Sequence, residues 1–434
     1  MKKTMHKLIL AILFLGLLSG YSYGQTNPSK GDFIKVVNGQ FIRNGNPYYY
    51  IGTNFWYGPI IGSVSQYGNR DRLIKELDFM KANGINNLRV LVGAEGPENI
   101  KNRIMPTLQK EPGVYEDYLW DGLDFFMNEL GKRDMTAVLF LTNNWDWSGG
   151  YMQYLTWAKA GTKAGDGSAD WMNVSRNVGD FYNCEECLKM LKKHISVVVN
   201  RVNKYTGKKY TEDPNILSWQ IANEPRPMRA DKKSFEKVLK DITAYIKSVD
   251  PNHLVSTGSE GEMGSGNDYE VFEAIHTDPN VDYVNIHMWP KNWRWLNEKD
   301  IAGSVANIFI KTDDYLDKHL AIAARLKKPL VMEEFGLPRD HHLYVLTDPT
   351  TSRDAYFAHV FSKLLSSRKN NSYFAGCNFW AWGGFARPSD DDVIWWQIGD
   401  DYMGDPAMEE QGLNSVFDTD STIGVIKKYA EEIK

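Results

Sequence analysis

Eight short apolar runs, amphipathic segments between most of them, and polar residues at the ends of the runs predict an α/β fold, a closed (β/α)8 barrel of the TIM type. The runs lie near 48–52, 87–92, 136–141, 216–222, 254–257, 283–287, 330–333 and 375–380. Each has the length of a strand and is apolar enough to be covered on both faces, as parallel strands are. Arg70 to Asn83, Tyr118 to Arg133, Phe181 to Val202, Ser234 to Val249, Val305 to Leu326, Ser352 to Ser367 and Thr422 to Ile433 supply the covering helices. A doubly wound open sheet is the structural alternative. If it bound a nucleotide it would carry a Gly-rich turn after its first strand, and Ile51-Gly52-Thr53-Asn54 is not one.

Ahead of the first run, Phe33 to Asn46 holds two apolar-rich stretches joined by Asn38-Gly39. That dipeptide is a hairpin signal, and the hairpin is expected to plug the bottom of the barrel. Earlier still, Lys2, Lys3 and Lys7 precede the apolar stretch Leu8 to Leu18, with small residues at Ser22 and Gly24. This pattern reads as a secretory leader over residues 1–24, cut near Gly24-Gln25. The stretch is too short to span a bilayer, and no later run is long enough, so no membrane partner is expected. Residues 30–434 contain no linker, repeat or low-complexity tract, and residues 25–434 read as a single catalytic domain. The mature chain is expected outside the cytoplasm, extracellular or periplasmic, and as a monomer.

The formal charge is -5, and loss of the leader's three lysines takes it to -8. An acidic chain without a basic stripe excludes nucleic acid as a partner. Aromatic residues make up 13% of the chain, with 14 Trp and 23 Tyr. That excess suits a cleft whose walls stack on flat apolar faces such as sugars present; the competing explanation is Trp packing in a large core. Of the three cysteines, Cys184 and Cys187 are three apart and Cys377 is alone. A zinc site needs two further ligands and no matching Cys or His pair is near, so no metal and no cofactor are expected. Buried thiols or a local disulfide are the alternatives.

In a barrel of this kind the chemistry gathers where strands end. The fourth run ends in Asn223-Glu224-Pro225-Arg226 and the seventh in Glu333-Glu334-Phe335-Gly336. Two facing carboxylates are what glycosidic cleavage needs, one to protonate the leaving oxygen and one to attack or stabilise the anomeric carbon. Either Glu alone is equally well a surface charge beside a helix start. Glu333 competes with Glu334, but strand alternation is expected to turn only one of them into the lumen.

The chain resembles the endo-β-1,4-mannanases of glycoside hydrolase family 5. The likeness runs from about Phe33 to the C-terminus through Gly52-Thr53-Asn54-Phe55, Leu141-Thr142-Asn143-Asn144-Trp145, Asn203-Lys204-Tyr205-Thr206-Gly207, Asp213-Pro214-Asn215-Ile216, Asn223-Glu224-Pro225-Arg226, Glu333-Glu334-Phe335-Gly336 and Phe379-Trp380. The resemblance implies a retaining double displacement with Glu224 as acid and then base and Glu334 as nucleophile. It places Arg89 beside the nucleophile, Asn223 on the sugar 2-hydroxyl, His287 behind Glu224 and Trp380 under the reactive sugar. Trp56, Asn144, Trp145 and Arg226 are expected around neighbouring subsites. The implied partner is a β-mannan, glucomannan or galactomannan polysaccharide. A core histidine is the competing explanation for His287, and a rim ion pair for Arg89.

Two departures stand out. Where the family has His, any residue, then Tyr, this chain has His287-Met288-Trp289. An indole N–H donates but cannot accept or titrate as a phenol does, so Trp289 is expected mainly as a wall of the sugar site. The tract Phe385 to Gly404, with Asp390-Asp391-Asp392 and Trp395-Trp396, is expected to form a long rim loop. An endoglucanase or transglycosylase on the same barrel is the nearest alternative function. A silent glycan-binding protein is a further one, disfavoured because both carboxylates and their companions are present.

Overall fold

The computed structural model describes residues 33–159, 177–389 and 394–434. The leader and the three consecutive aspartates Asp390 to Asp392 lie outside the described residues. Eight parallel strands form one sheet: β1 Tyr50–Asn54, β2 Asn87–Leu91, β3 Thr136–Phe140, β4 Ile216–Gln220, β5 Leu254–Ser256, β6 Val284–Met288, β7 Leu330–Phe335 and β8 Phe374–Phe379. Their spatial order is β5-β4-β3-β2-β1-β8-β7-β6. Across the β5–β6 seam the Asp282 amide donates to the Val255 carbonyl at 2.8 Å and the His287 amide to the Glu260 carbonyl at 3.1 Å. These bonds draw the two edges together and nearly close the barrel, as the run count predicts.

Helices α1 Arg70–Ala82, α2 Asp117–Lys132, α3 Glu185–Val199, α4 Lys232–Val249, α5 Tyr269–His276, α6 Ile301–Leu326, α7 Thr351–Lys369 and α8 Thr422–Ile433 follow the strands in turn. Their apolar stripes pack on the strands, whose residues are buried throughout. The sequence reading lacks α5, which is eight residues long and so shows barely two helical turns of periodicity. Asp268 nonetheless marks its start, accepting from the Glu270 and Val271 amides. Residues Phe33–Lys434 cluster as one unit.

The N-terminal hairpin is a three-stranded meander, Lys35–Val37, Gln40–Arg43 and Asn46–Pro47. Both turns are Asn-Gly with positive φ at each residue, the mirror-image turn that matches strand twist. Ile34 and Phe41 pack in one cluster with Tyr50, Val138, Leu217, Leu254, Tyr283, Val331 and Ala375. One hydrophobic plug thus seals the barrel end opposite the strand termini that carry the site.

Cys184 and Cys187 are joined as a disulfide with Cα atoms 5.2 Å apart. The bridge fits because Cys184 is the N-cap of α3, at φ -98° and ψ 92°, and so stands outside the helical backbone. Cys377 is a buried thiol on β8.

Candidate active site

Arg89 on β2 is the hub of the upper barrel and is completely buried. Its Nε donates to Gln220 Oε1 at 2.8 Å, Nη1 to Asn54 Oδ1 at 3.1 Å and Glu334 Oε1 at 2.5 Å, and Nη2 to Asn223 Oδ1 at 2.8 Å. The cation is therefore aimed at one carboxylate by three fixed amide oxygens. Asn54 also donates to the Glu333 carbonyl at 2.8 Å, so the same side chain holds the cation and the strand that carries its partner.

That strand contains an irregularity. Met332 pairs with Ile286 but Glu334, not Glu333, pairs with His287. The extra residue is a β-bulge, which breaks the alternation of side chains. The expectation that only one glutamate faces the lumen is accordingly corrected. Glu333 takes hydrogen bonds from Tyr283 Oη at 2.9 Å and Gln220 Nε2 at 2.5 Å, while Glu334 turns to Arg89 one layer higher. Burial raises the Glu333 carboxyl above its ordinary range, with Arg89 opposing.

Glu224 follows β4 in the left-handed region, φ 50°, a conformation a non-glycine residue holds only where its surroundings impose it. Its amide donates to the Gly258 carbonyl at 3.0 Å, the Asn223 amide to Thr142 at 2.9 Å, and the Asn144 amide to Asn223 at 2.9 Å. Gly258 is required here, since a Cβ would fall 1.8 Å from the Ala222 carbonyl oxygen. The side chain is held by Trp145 Nε1 on Oε2 at 2.5 Å and His287 Nδ1 on Oε1 at 2.8 Å. His287 Nδ1 also lies 3.4 Å from Glu334 Oε2. Burial and the neighbouring arginines keep this imidazole's pKa well below its ordinary value, so it is neutral at working pH.

An oxygen of Glu224, one of Glu334 and a His287 nitrogen all lie within 4.8 Å of one another. Burial, then the Glu224 charge, push the Glu334 carboxyl well above the usual range, with Arg89 opposing. The three donor atoms are the one such set among the described residues able to hold a metal ion, but Arg89, Trp145 and Trp289 already supply N–H donors to the two carboxylates.

Trp289 Nε1 donates to Glu334 Oε2 at 3.2 Å, while its ring meets Trp380 edge to face at 6.0 Å. Trp289 is thus both a wall and a donor, which corrects the expectation that it serves mainly as a wall. Trp289→Phe, which keeps the ring and deletes the donor, should raise the acid limb of the kcat/KM profile by about 0.5–1 unit, because a charge-assisted bond at the long end of the range carries roughly 1 kcal/mol. An unmoved acid limb with only a raised KM would leave Trp289 the role of wall alone.

Of the other expected residues, Trp145, Asn223, Arg226 and Trp380 line the cleft with both carboxylates, in a cavity of about 590 Å³. Arg226 is bonded by two nitrogens to Glu260 and lies over the Trp145 ring, 5.1 Å to its centroid. Its cation is committed to that pair. Asn144 is buried and accepts from the Arg226 amide at 3.2 Å; it shapes the turn and does not line the cleft. Trp56 is also absent from the cleft wall. Its indole donates to the Gly404 carbonyl at 2.8 Å and packs against Trp147 and Tyr402, because the loop after β8 covers the rim where it was expected to meet sugar.

Sequence reasoning missed Glu260 as a site residue although it marks a strand end, and missed Trp147, Lys291, Asn292 and Trp293. The rim loop also runs on past Gly404: among the described residues Met408, Glu409, Glu410, Leu413 and Asn414 of the loop after β8 reach the cleft together with Trp380. A usable signal existed in Asp405, whose carboxylate takes the Gly412, Asn414 and Ser415 amides and the Ser415 hydroxyl. An acid followed by a Gly-Leu-Asn-Ser stretch has the composition of a self-bonded turn.

The family model of glycoside hydrolase family 5 β-mannosidase-like proteins matches residues 31–434. The chain belongs to that family. Relatives include mannan endo-1,4-β-mannosidase 1 of rice, 28% identical over 86% of this chain and 83% of that protein. The putative mannan endo-1,4-β-mannosidase 4 of Arabidopsis thaliana is 30% identical over 88% of this chain and 92% of its own. Among solved structures, a glycoside hydrolase family 5 mannosidase from Rhizomucor miehei is 34% identical, covers 93% of this chain and 98% of its own, and superposes with a TM-score of 0.82. An endo-1,4-β-mannanase from the same fungus is 24% identical over 92% and 99%, with a TM-score of 0.67, and shares the fold. The chain is a mannanase- or mannosidase-type glycoside hydrolase of family 5.

Proposed function

We propose that this enzyme hydrolyses β-mannosidic bonds of mannan-type chains with retention of configuration. The observation that carries the mechanism is the spacing of the carboxylates, whose nearest oxygens are within 4.8 Å. Retaining enzymes hold the pair about 5–5.5 Å apart, whereas inverting ones leave about 6.5–9.5 Å for a water. Arg89, fixed on Glu334, favours the ionised form there, as a nucleophile requires, and Glu224 is the carboxyl placed to protonate the leaving oxygen. Glu334 attacks the anomeric carbon as Glu224 protonates the departing oxygen. Glu224 then takes a proton from water, which displaces Glu334 and regenerates both groups. Trp380 and Asn223 line the cleft with this centre; Asn223 accepts from Arg89 and donates one amide N–H to Asn143 Oδ1 at 3.3 Å, and its second N–H is the donor for the 2-hydroxyl.

The expected endo mode has the names of the plant relatives behind it. One observation favours release from chain ends instead. No residue of the loops after β1 and β2 lines the cleft, because the loop after β8 lies on both. Trp56 donates to Gly404, and Tyr402 Oη donates to the Met105 carbonyl at 2.6 Å. A groove roofed on one side accepts a chain end more readily than a chain middle. The leader sequence and the Cys184–Cys187 disulfide support export to an oxidising compartment, which the N-terminal sequence of exported protein, starting near Gln25, would establish.

The test follows product from β-1,4-mannan beside glucomannan, galactomannan, cellulose and xylan. Proton NMR of the first product should show the β-anomer; an α-anomer refutes retention. Internal cleavage lowers viscosity before reducing ends accumulate, and chain-end release does the reverse. Faster turnover of cellulose or xylan than of any mannan defeats the substrate reading.

A further inference from the structure

Glu95, in the loop after β2, is a buried carboxyl that the mechanism above does not use. It meets the turn after β3 at three points. Its amide donates to the Ser148 carbonyl at 2.8 Å, and its Oε2 accepts from the Gly150 amide at 3.2 Å. A Cβ on Gly149 would fall 1.9 Å from its carbonyl oxygen. Gly149 and Gly150 have positive φ, 92° and 54°, so the chain reverses sharply between Ser148 and the short helix Gly150–Trp157. The first amides of a helix have no partner within it. Here Gly150 finds one on another loop, and Tyr151 finds the Asn143 carbonyl at 2.9 Å.

The turn so clasped carries Trp145 and Trp147, two walls of the catalytic cleft. Trp145 is the one whose indole donates to Glu224 Oε2. Asn143 accepts from the Trp145 amide at 3.0 Å and donates to Ser148 Oγ at 3.0 Å, which couples the backbone under that indole to the turn that Glu95 holds. Burial raises the Glu95 carboxyl to about 8, with the Thr142 hydroxyl, the Gly150 amide and Arg103 opposing. A neutral acid still accepts the Gly150 amide, so the side chain acts here as an acceptor more than as a charge.

We propose that Glu95 is a positioning residue for the acid and base: by fixing the turn from Asp146 to Gly150 it sets the Trp145 indole on Glu224. The inference rests on the reading of Glu224 as general acid. An N–H on a carboxylate favours the ionised form, and loosening Trp145 withdraws that support. Glu224 must be protonated to act, so the basic limb of kcat/KM moves to higher pH. Glu334, His287, Glu260, Arg226 and Glu409 also act on Glu224, and a change at Glu95 leaves them in place.

Glu95→Met fills the same space without an acceptor. In the full chain carrying isotope-labelled tryptophan, the indole N–H resonance that Trp145→Phe removes is that of Trp145. Glu95→Met should move this resonance upfield, as loss of a bond to a carboxylate does. The basic limb of kcat/KM on mannan should rise by about 0.5–1 unit, and Glu95→Gln, which still accepts the Gly150 amide, should restore both. Added to Trp145→Phe, Glu95→Met should move the limb no further, because both changes act on one bond. Glu95→Asp, one methylene short of Gly150, carries the same test where Glu95→Met fails to fold. An unmoved Trp145 resonance, an equal limb shift with and without Trp145, or no rescue by Glu95→Gln overturns the role. A resonance that moves in a protein that cleaves no β-mannoside upholds the clasp and defeats the catalytic reading instead.

Discussion

Glu224→Ala should lower turnover of mannan by about 10²–10⁴, the usual worth of a general acid and base, yet barely slow the first step on a dinitrophenyl β-mannoside. The difference arises because a dinitrophenolate leaves without a proton. Glycosyl-enzyme on Glu334 then accumulates, since no base activates water, and a burst should precede a slow steady state. Azide needs no base. It should restore the steady state and give the β-mannosyl azide, formed from the Glu334 adduct with a second inversion. Glu334→Ala should lose more, up to about 10⁶ in kcat, and azide in the vacated space should give the α-azide in one inversion. The configuration of each azide, read by NMR, assigns the roles. Identical azides from both variants would refute the division of labour.

Two kinds of information separate what the sequence discloses from what it conceals. The barrel is legible because eight buried parallel strands need eight apolar runs, and covering helices need their own period. Glu224 and Glu334 are legible because each ends such a run. The β7 bulge is not legible, since Leu330-Val331-Met332-Glu333-Glu334 reads as a regular strand and only pairing with β6 shows the slip at His287. Trp56 and Trp289 were misjudged for one reason: a tryptophan's type gives its area and its donor, but not which neighbour reaches them. Contacts between segments distant in sequence, Gly404 over Trp56 and Glu334 beside Trp289, decide both cases. The long loop after β8 is the least legible part, because its path is set by a few buried polar anchors such as Asp405 and not by a repeating pattern.

Arg89→Met should cost both activity and stability, and its pH dependence distinguishes an active cation from a structural one. The substitution keeps an unbranched, apolar chain over Phe140, on which the guanidinium now lies 4.7 Å from the ring centroid. It removes the only cation bonded to Glu334 among the described residues. Burial and the Glu224 charge already hold the Glu334 carboxyl well above its ordinary range, with Arg89 opposing; without that cation the Glu334 titration rises further. The nucleophile must be ionised, and the acid limb of kcat/KM should therefore move to higher pH, with kcat at neutral pH down by about 10²–10³, or roughly 3–4 kcal/mol. The sign of the stability effect follows from the same shift. A carboxyl whose folded pKa lies above its unfolded value loses stability as pH rises through the folded value, so a further rise enlarges that loss. Removing one partner of a buried ion pair costs about 3–5 kcal/mol when the remaining charge is left unpaired. The cost should approach that figure at pH 8 and shrink near pH 5, where a proton on Glu334 replaces the lost cation, leaving Gln220, Asn54 and Asn223 without their donor. Thermal unfolding of both proteins at the two pH values measures it. A destabilisation that is the same at pH 5 and pH 8, with an unshifted acid limb, would show that Arg89 only ties the strands together and that another group sustains the charge on Glu334.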